Sequence, residues 1–137
     1  MVPVEIGQLV GVFYSQLWNR WNDDAVDSVL APDFAFRGSL GVEVMGRQGW
    51  RGYRELVRAG SSDFHNDVVT LVVAGNQAAA RLVYSGTHDG SLAGMPATGK
   101  RFTYSGAAFF TAEQGLLTSA WVLGDLSSLR DQLGPGS

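Results

Sequence analysis

The segment Trp121-Val-Leu-Gly-Asp125 carries a carboxylate to the end of a strand-like run. Side chains alternate along a strand, so Ser119, Trp121, Leu123 and Asp125 share one face. If Trp121 and Leu123 face an interior, Asp125 faces it too. A carboxyl group beside Trp and Leu loses hydration, which favours its neutral form and raises its pKa. That environment suits an acid/base catalyst. The competing reading is that Asp125 caps a helix beginning at Leu126 or Ser127. His88 ends the run Thr87-His-Asp-Gly, on the parity of Tyr84 and Gly86. It is either a donor at a cavity rim or a turn histidine facing water. Arg81 lies among Ala78, Ala79, Ala80, Leu82 and Val83. An unpaired buried charge is costly, so Arg81 either meets a carboxylate or lies on an outer sheet face. Tyr14 and Trp18 stand one helical turn apart and either line a pocket or pack as core.

Composition narrows the chemistry. There is no cysteine, so there is no thiolate nucleophile, disulfide framework or Cys-ligated metal. Only His65 and His88 are present, which is too few for a three-histidine site, and no metal is expected. His65, in Asp63-Phe-His-Asn-Asp67, opens a strand and reads as structural. Phosphate-binding loops, GxSxG and HExxH are missing from the sequence. A net charge of −3 argues against a nucleic-acid partner. No apolar run has the length of a membrane span. The first residues lack a basic region and include Glu5, so a signal peptide is not expected and the cytoplasm is the default location.

The elements that must position these residues follow from hydrophobic spacing. Val4 to Trp21 has helical periodicity, and a short helix follows Asn22-Asp-Asp until Pro32 stops it. Asp33 to Arg37 alternates as a short strand, and Val42 to Met45 extends a hairpin from it. Gly46 to Ala59 is a third helix, with Arg47, Arg51, Arg54 and Arg58 forming a stripe that reads as a solvated face. Strands are expected at Val68–Val73, Gln77–His88, Lys100–Thr111 and Leu116–Gly124, with a short final helix reaching Leu133. Gly86 and Gly106 inside strands imply bends or close backbone approach. Helices early and strands late make an α+β domain spanning 1–137. Its curved antiparallel sheet wraps around the N-terminal helices as a cone whose interior offers an apolar pocket. The outer sheet face would expose apolar surface, so a homodimer is expected.

The run Arg81-Leu-Val-Tyr-Ser-Gly-Thr-His-Asp-Gly90, followed by Leu92-Ala-Gly-Met-Pro-Ala-Thr-Gly-Lys100, resembles the SnoaL-like polyketide cyclases. The Trp121…Asp125 strand end and Gln132-Leu133-Gly134 are similar to that family as well, which belongs to the nuclear-transport-factor-2-like superfamily of cones. The resemblance implies a cofactor-independent, aldol-type ring closure, or a related isomerisation, of an apolar polyketide-like small molecule. It implies Asp125 as acid/base and His88, with Arg81, as groups that polarise oxygens. Tyr14, Trp18, Tyr53, Tyr104 and Trp121 would then wall a flat substrate. One departure is the strand before the last, Gly106 to Thr111, which is small and apolar where the family carries a polar group. The same cone also hosts epoxide hydrolases, epoxide-opening cyclases and non-catalytic small-molecule-binding domains. The epoxide reading would need a second acid, with Asp67, Asp89 and Glu43 as candidates. The ionisable groups that converge in the cavity separate these readings.

Overall fold

The first described helix runs Ile6–Val12 (α1) and continues unbroken as a π-helical segment, Phe13–Trp18. The structure, a computed structural model, describes residues 5–134, so the expected helix start at Val4 and the tail beyond Gly134 lie outside the described residues. In the π segment the amide of Asn19 donates to the carbonyl of Tyr14, five residues back, at 2.9 Å. The widened turn brings Phe13, Tyr14 and Leu17 onto one buried face, with Trp18 partly buried beside them. Asn22 then caps a short 3₁₀ turn by accepting from the Asp24 amide, and Val26–Val29 (α2) follows.

The other elements are Leu30–Arg37 (β1), Glu43–Met45 (β2), Gly46–Gly60 (α3), His65–Ala74 (β3), Gln77–Thr87 (β4), Arg101–Glu113 (β5), Leu116–Gly124 (β6) and Leu126–Leu133 (α4). The strands form one sheet in the order β2-β1-β6-β5-β4-β3. Pairing is antiparallel except between β1 and β6, which run parallel. The sheet is therefore mixed, whereas the sequence predicts an antiparallel one. The four intervening strands and α3 serve as the long crossover that a parallel pair requires. Register shifts at Val68/Thr70, Thr111/Ala112 and Leu30/Ala35 bend the sheet around its contents. Pro32 sits inside β1, not at a helix stop. It falls within the Leu30/Ala35 irregularity, where a missing amide costs no ladder bond.

The core lies between the concave face of the sheet and the helices. Leu82, Tyr84, Tyr104, Ala108, Phe110, Ala120 and Val122 point into it from β4, β5 and β6. Phe13 is at its centre, with the rings of Tyr14, Phe34, Phe36, Trp50 and Phe110 at 5.0–6.2 Å. Truncating such a ring to alanine costs roughly 3–5 kcal/mol. The arginine stripe of α3 differs from the expected solvated face. Arg47 donates to the carbonyls of Leu30 and Asp27, and Arg51 pairs with Asp23. Arg54 is 1% exposed and bonds the Leu17 carbonyl and the Asp23 carboxylate. The stripe clamps α3 to the chain between α1 and β1. Among the described residues no helix is long and apolar enough to cross a membrane.

Candidate active site

Every tyrosine in the sequence lies in the cone. Tyr14 comes from the π-helical segment, Tyr53 from α3, Tyr84 from β4 and Tyr104 from β5. Tyr84 and Tyr104 are cross-strand partners, with ring centroids 4.8 Å apart. Gly106 makes room for this pair: a Cβ there would lie 2.5 Å from the Tyr84 ring. Gly38 does the same for Tyr53, whose Cζ would lie 2.0 Å from an added Cβ. Both glycines are required by close approach, as the sequence implies for Gly106.

The phenols differ in their partners. Tyr53 accepts a hydrogen bond from the Leu40 amide at 3.2 Å. Tyr104 shares one with the Ser39 hydroxyl at 3.0 Å. The Tyr84 hydroxyl is buried and has no partner. Burial pushes the pKa of all four phenols above the ordinary value. Neighbouring phenols add to this: Tyr53 raises Tyr14 and Tyr104, while Tyr14, Tyr104 and Tyr53 all raise Tyr84. These groups are neutral at physiological pH, so they donate hydrogen bonds and are not bases. Among Tyr14, Tyr53, Tyr84, Ser39, Asn66 and Val122 there is about 10 Å³ of room for the centre of a water molecule. That is about one water's space. A larger guest enters only if the rings at the mouth move, and half-buried Trp18 is the ring that borders it.

Four of the sequence-predicted site residues, Tyr14, Trp18, Tyr53 and Tyr104, are brought together here. Four others are not. Trp121 and Leu123 are exposed on the convex face, and Ala120 and Val122 point inward instead. The expected parity of β6 is thus inverted. Trp121 lies under the Arg37 guanidinium at 5.0 Å and beside Phe109. Asp125, at the end of the same outward parity, is exposed and accepts from the Ser128 amide at 3.0 Å as the N-cap of α4. Arg81 is exposed mid-strand on β4, the outer-face alternative.

His88 is fully buried, but it is not among the residues that line the phenol cavity. Its Nε2 meets the Met95 carbonyl at 3.1 Å and must donate. Its Nδ1 shares a hydrogen bond with the Thr98 hydroxyl at 2.9 Å. Both nitrogens serve to fold the loop between β4 and β5. The other acids named for the epoxide reading also lie outside the cavity. Asp67 is exposed beside His65, Asp89 is exposed and holds the Ser62 amide, and Glu43 is exposed on β2. The sequence reading missed Tyr84, Ser39 and Asn66. The alternation of β4 could have found Tyr84, since its parity partner Leu82 belongs on an inner face.

The sequence profile of the SnoaL-like polyketide cyclase family matches residues 8–133. The chain belongs to the SnoaL-like polyketide cyclase family. Solved structures agree in fold. A SnoaL-like protein from Jannaschia sp. CCS1 superposes with a TM-score of 0.86 at 18% identity, covering 100% of this chain and 98% of that one. TsrD from Streptomyces laurentii gives 0.83 at 29% identity over 94% of each chain. A SnoaL-like polyketide cyclase from Agrobacterium tumefaciens gives 0.80 at 21%, covering 95% and 98%. A comparison with curated proteins returned no match. The SnoaL-like cone of this chain thus encloses phenols, and among the described residues that line its cavity there is no carboxylate.

Proposed function

We propose that this SnoaL-like protein closes a ring in an apolar, polyketide-like small molecule by a cofactor-independent aldol-type step, with phenols as the proton-handling groups. The observation that carries the reading is the buried Tyr84 hydroxyl without a partner, set among three further neutral phenols. A buried donor left unpaired costs about 1–3 kcal/mol. A substrate oxygen that accepts from it recovers that cost, and recovers most when the oxygen carries negative charge.

The chemistry needs no strong base. A methylene between two carbonyls enolises readily. The enol carbon attacks a carbonyl carbon of the same molecule, a C–C bond forms, and the carbonyl π pair moves onto oxygen. Tyr84 gives that oxygen its proton. The enol oxygen returns one to the phenol cluster, so the proton count is unchanged and nothing is oxidised. Confinement by Tyr14, Trp18, Tyr53 and Tyr104 supplies the folded geometry, and positioning of this kind contributes up to ~7–11 kcal/mol in the best cases.

Tyr84→Phe tests the reading. Removing one oxyanion donor lowers turnover by roughly 10²–10³-fold. Thermal stability should hold or rise, because an unpaired buried hydroxyl is removed. A synthetic linear poly-β-ketone, followed by the absorbance of the cyclised product, is a suitable probe. Undiminished turnover in Tyr84→Phe would sink the phenol mechanism. Binding of the probe by the wild-type protein without turnover would favour the second reading, a non-catalytic binding domain. What supports that reading is the exposed, helix-capping position of Asp125.

The convex face supports a homodimer. Val72, Phe109, Trp121 and Leu123 are exposed there, and the first three line a groove of about 360 Å³. Patches of this kind mark association surfaces. Sedimentation at micromolar concentration should give twice the chain mass.

A further inference from the structure

A second concave site lies outside the cone, where the chain following the π-helical segment meets the end of α3 and the turn before β3. Its volume is about 230 Å³. Trp18 lines this cleft and also borders the phenol cavity. Three arginines line it: Arg20, Arg54 and Arg58.

Two features at this place are otherwise unexplained. Trp21 has φ 57°, a left-handed conformation that a bulky side chain adopts only when its surroundings impose it. In that conformation its indole serves two guanidiniums at once, with Cζ of Arg54 at 3.7 Å and Cζ of Arg58 at 4.5 Å from the ring. The second feature is Nε of Arg54. The side chain is 99% buried, two of its nitrogens are bonded, and Nε has no partner. A guanidinium N–H held out of water is the kind of donor that an oxyanion satisfies.

Charge points the same way. Asp23 answers Arg54 and Arg51. Asp63 lines the cleft, yet its carboxylate is held by the Thr87 amide and hydroxyl and by Arg101. His65 pairs with Asp67. Arg58 is exposed with its guanidinium over an aromatic face, and Phe64 and Trp18 supply apolar walls beside it. Positive charge next to flat apolar surface selects an organic anion over a neutral ring.

We propose that this cleft is a binding site for a small aromatic carboxylate, with Arg58 and Arg54 receiving the carboxylate and Trp18 and Phe64 receiving the ring. The site is separate from the phenol cavity and does not depend on the ring-closing reading.

The test is calorimetric titration of the full chain at low ionic strength with 2-naphthoate, 2-naphthylmethanol and inorganic phosphate. Naphthoate should bind saturably, with at least a tenfold loss in Arg58→Gln and partial recovery in Arg58→Lys. Arg58 is exposed, and circular dichroism should show both variants folded. Naphthylmethanol should bind at least tenfold more weakly than naphthoate. Tyr84→Phe should leave naphthoate binding unchanged, which separates this cleft from the cone. Equal naphthoate affinity in wild type and Arg58→Gln overturns the proposal. So does equal affinity for the neutral alcohol, or a loss confined to Tyr84→Phe. Phosphate binding as tightly as naphthoate would also overturn it, by showing a simple phosphate site with no role for the ring.

Discussion

The two faces of β4, β5 and β6 are built from similar residues and do different things. The inner face carries Leu82, Tyr84, Tyr104, Phe110 and Val122, all buried. The outer face carries Arg81, Phe109, Trp121 and Leu123, all exposed. Each face has aromatic and aliphatic side chains, and neither is plainly polar. What separates them is where the polar atoms of the aromatics end up. Inside, phenolic hydroxyls are sealed from water and held neutral. Outside, the one indole sits against an arginine and solvent. The same residue class makes a sealed interior of neutral phenols on one side of a sheet and an exposed apolar surface on the other, because burial decides what a phenol can do.

The largest effect that can break this comparison is alkaline pH. All four tyrosines of the chain have raised pKa values when folded, while the unfolded chain ionises near pH 10. A raised value for an acid means stability that is present in full below about pH 10 and is lost as pH rises toward the folded pKa. Four groups together give a loss of up to about 5 kcal/mol per pH unit. Against a typical total of about 5–15 kcal/mol, the fold should collapse between roughly pH 11 and 13. Absorbance at 295 nm, which reports phenolate, should rise together with the loss of far-ultraviolet dichroism, in one transition. Phenolate that forms stepwise in a protein still folded would show that the interior is wet, and the phenol mechanism would lose its ground.

The second effect belongs to the outer face. Trp121→Glu places a charge in the middle of the apolar patch without touching the cone. If a second copy covers the patch, dissociation should strengthen by about 2 kcal/mol or more, roughly 30-fold. Turnover per folded chain should persist. If the patch is open to water, the substitution changes stability by no more than about 0.5 kcal/mol and leaves the sedimentation profile as it was.

These two faces also show what the sequence could convey. The positions of α3, β4, β5 and β6 were legible because each has a long, consistent period bounded by glycine or polar turns. Trp121-Val-Leu-Gly-Asp125 fixes a strand and a cap, but alternation cannot say which parity is inside when both parities are apolar. The inner parity belongs to Ala120 and Val122, and Trp121 stands outside against Arg37. The parallel β1–β6 pair was not legible either. It depends on a contact between two segments far apart in the sequence, Leu30–Arg37 and Leu116–Gly124, and local pattern carries no trace of it. The phenol cluster lay in between. Tyr14 and Tyr53 lie on helices and Tyr84 and Tyr104 on strands, so only the closed cone reveals that they converge.

The smallest effect is also the sharpest discriminator between a carboxylate and a phenol mechanism. Asp125 accepts from the Ser128 amide at the start of α4, which presents Leu129 and Leu133 to the core. Asparagine caps a helix about as well as aspartate, whereas alanine does not. Asp125→Ala should therefore lower stability by about 1 kcal/mol, and Asp125→Asn should lower it hardly at all. If the cap is the whole role of this residue, both variants turn over substrate at the wild-type rate per folded molecule. A loss of turnover in Asp125→Asn, with stability intact, could not come from the cap. It would require the carboxylate charge to reach the substrate by a movement of α4 or of the β6 end, and would return the proton-handling role from the inner face to the outer one.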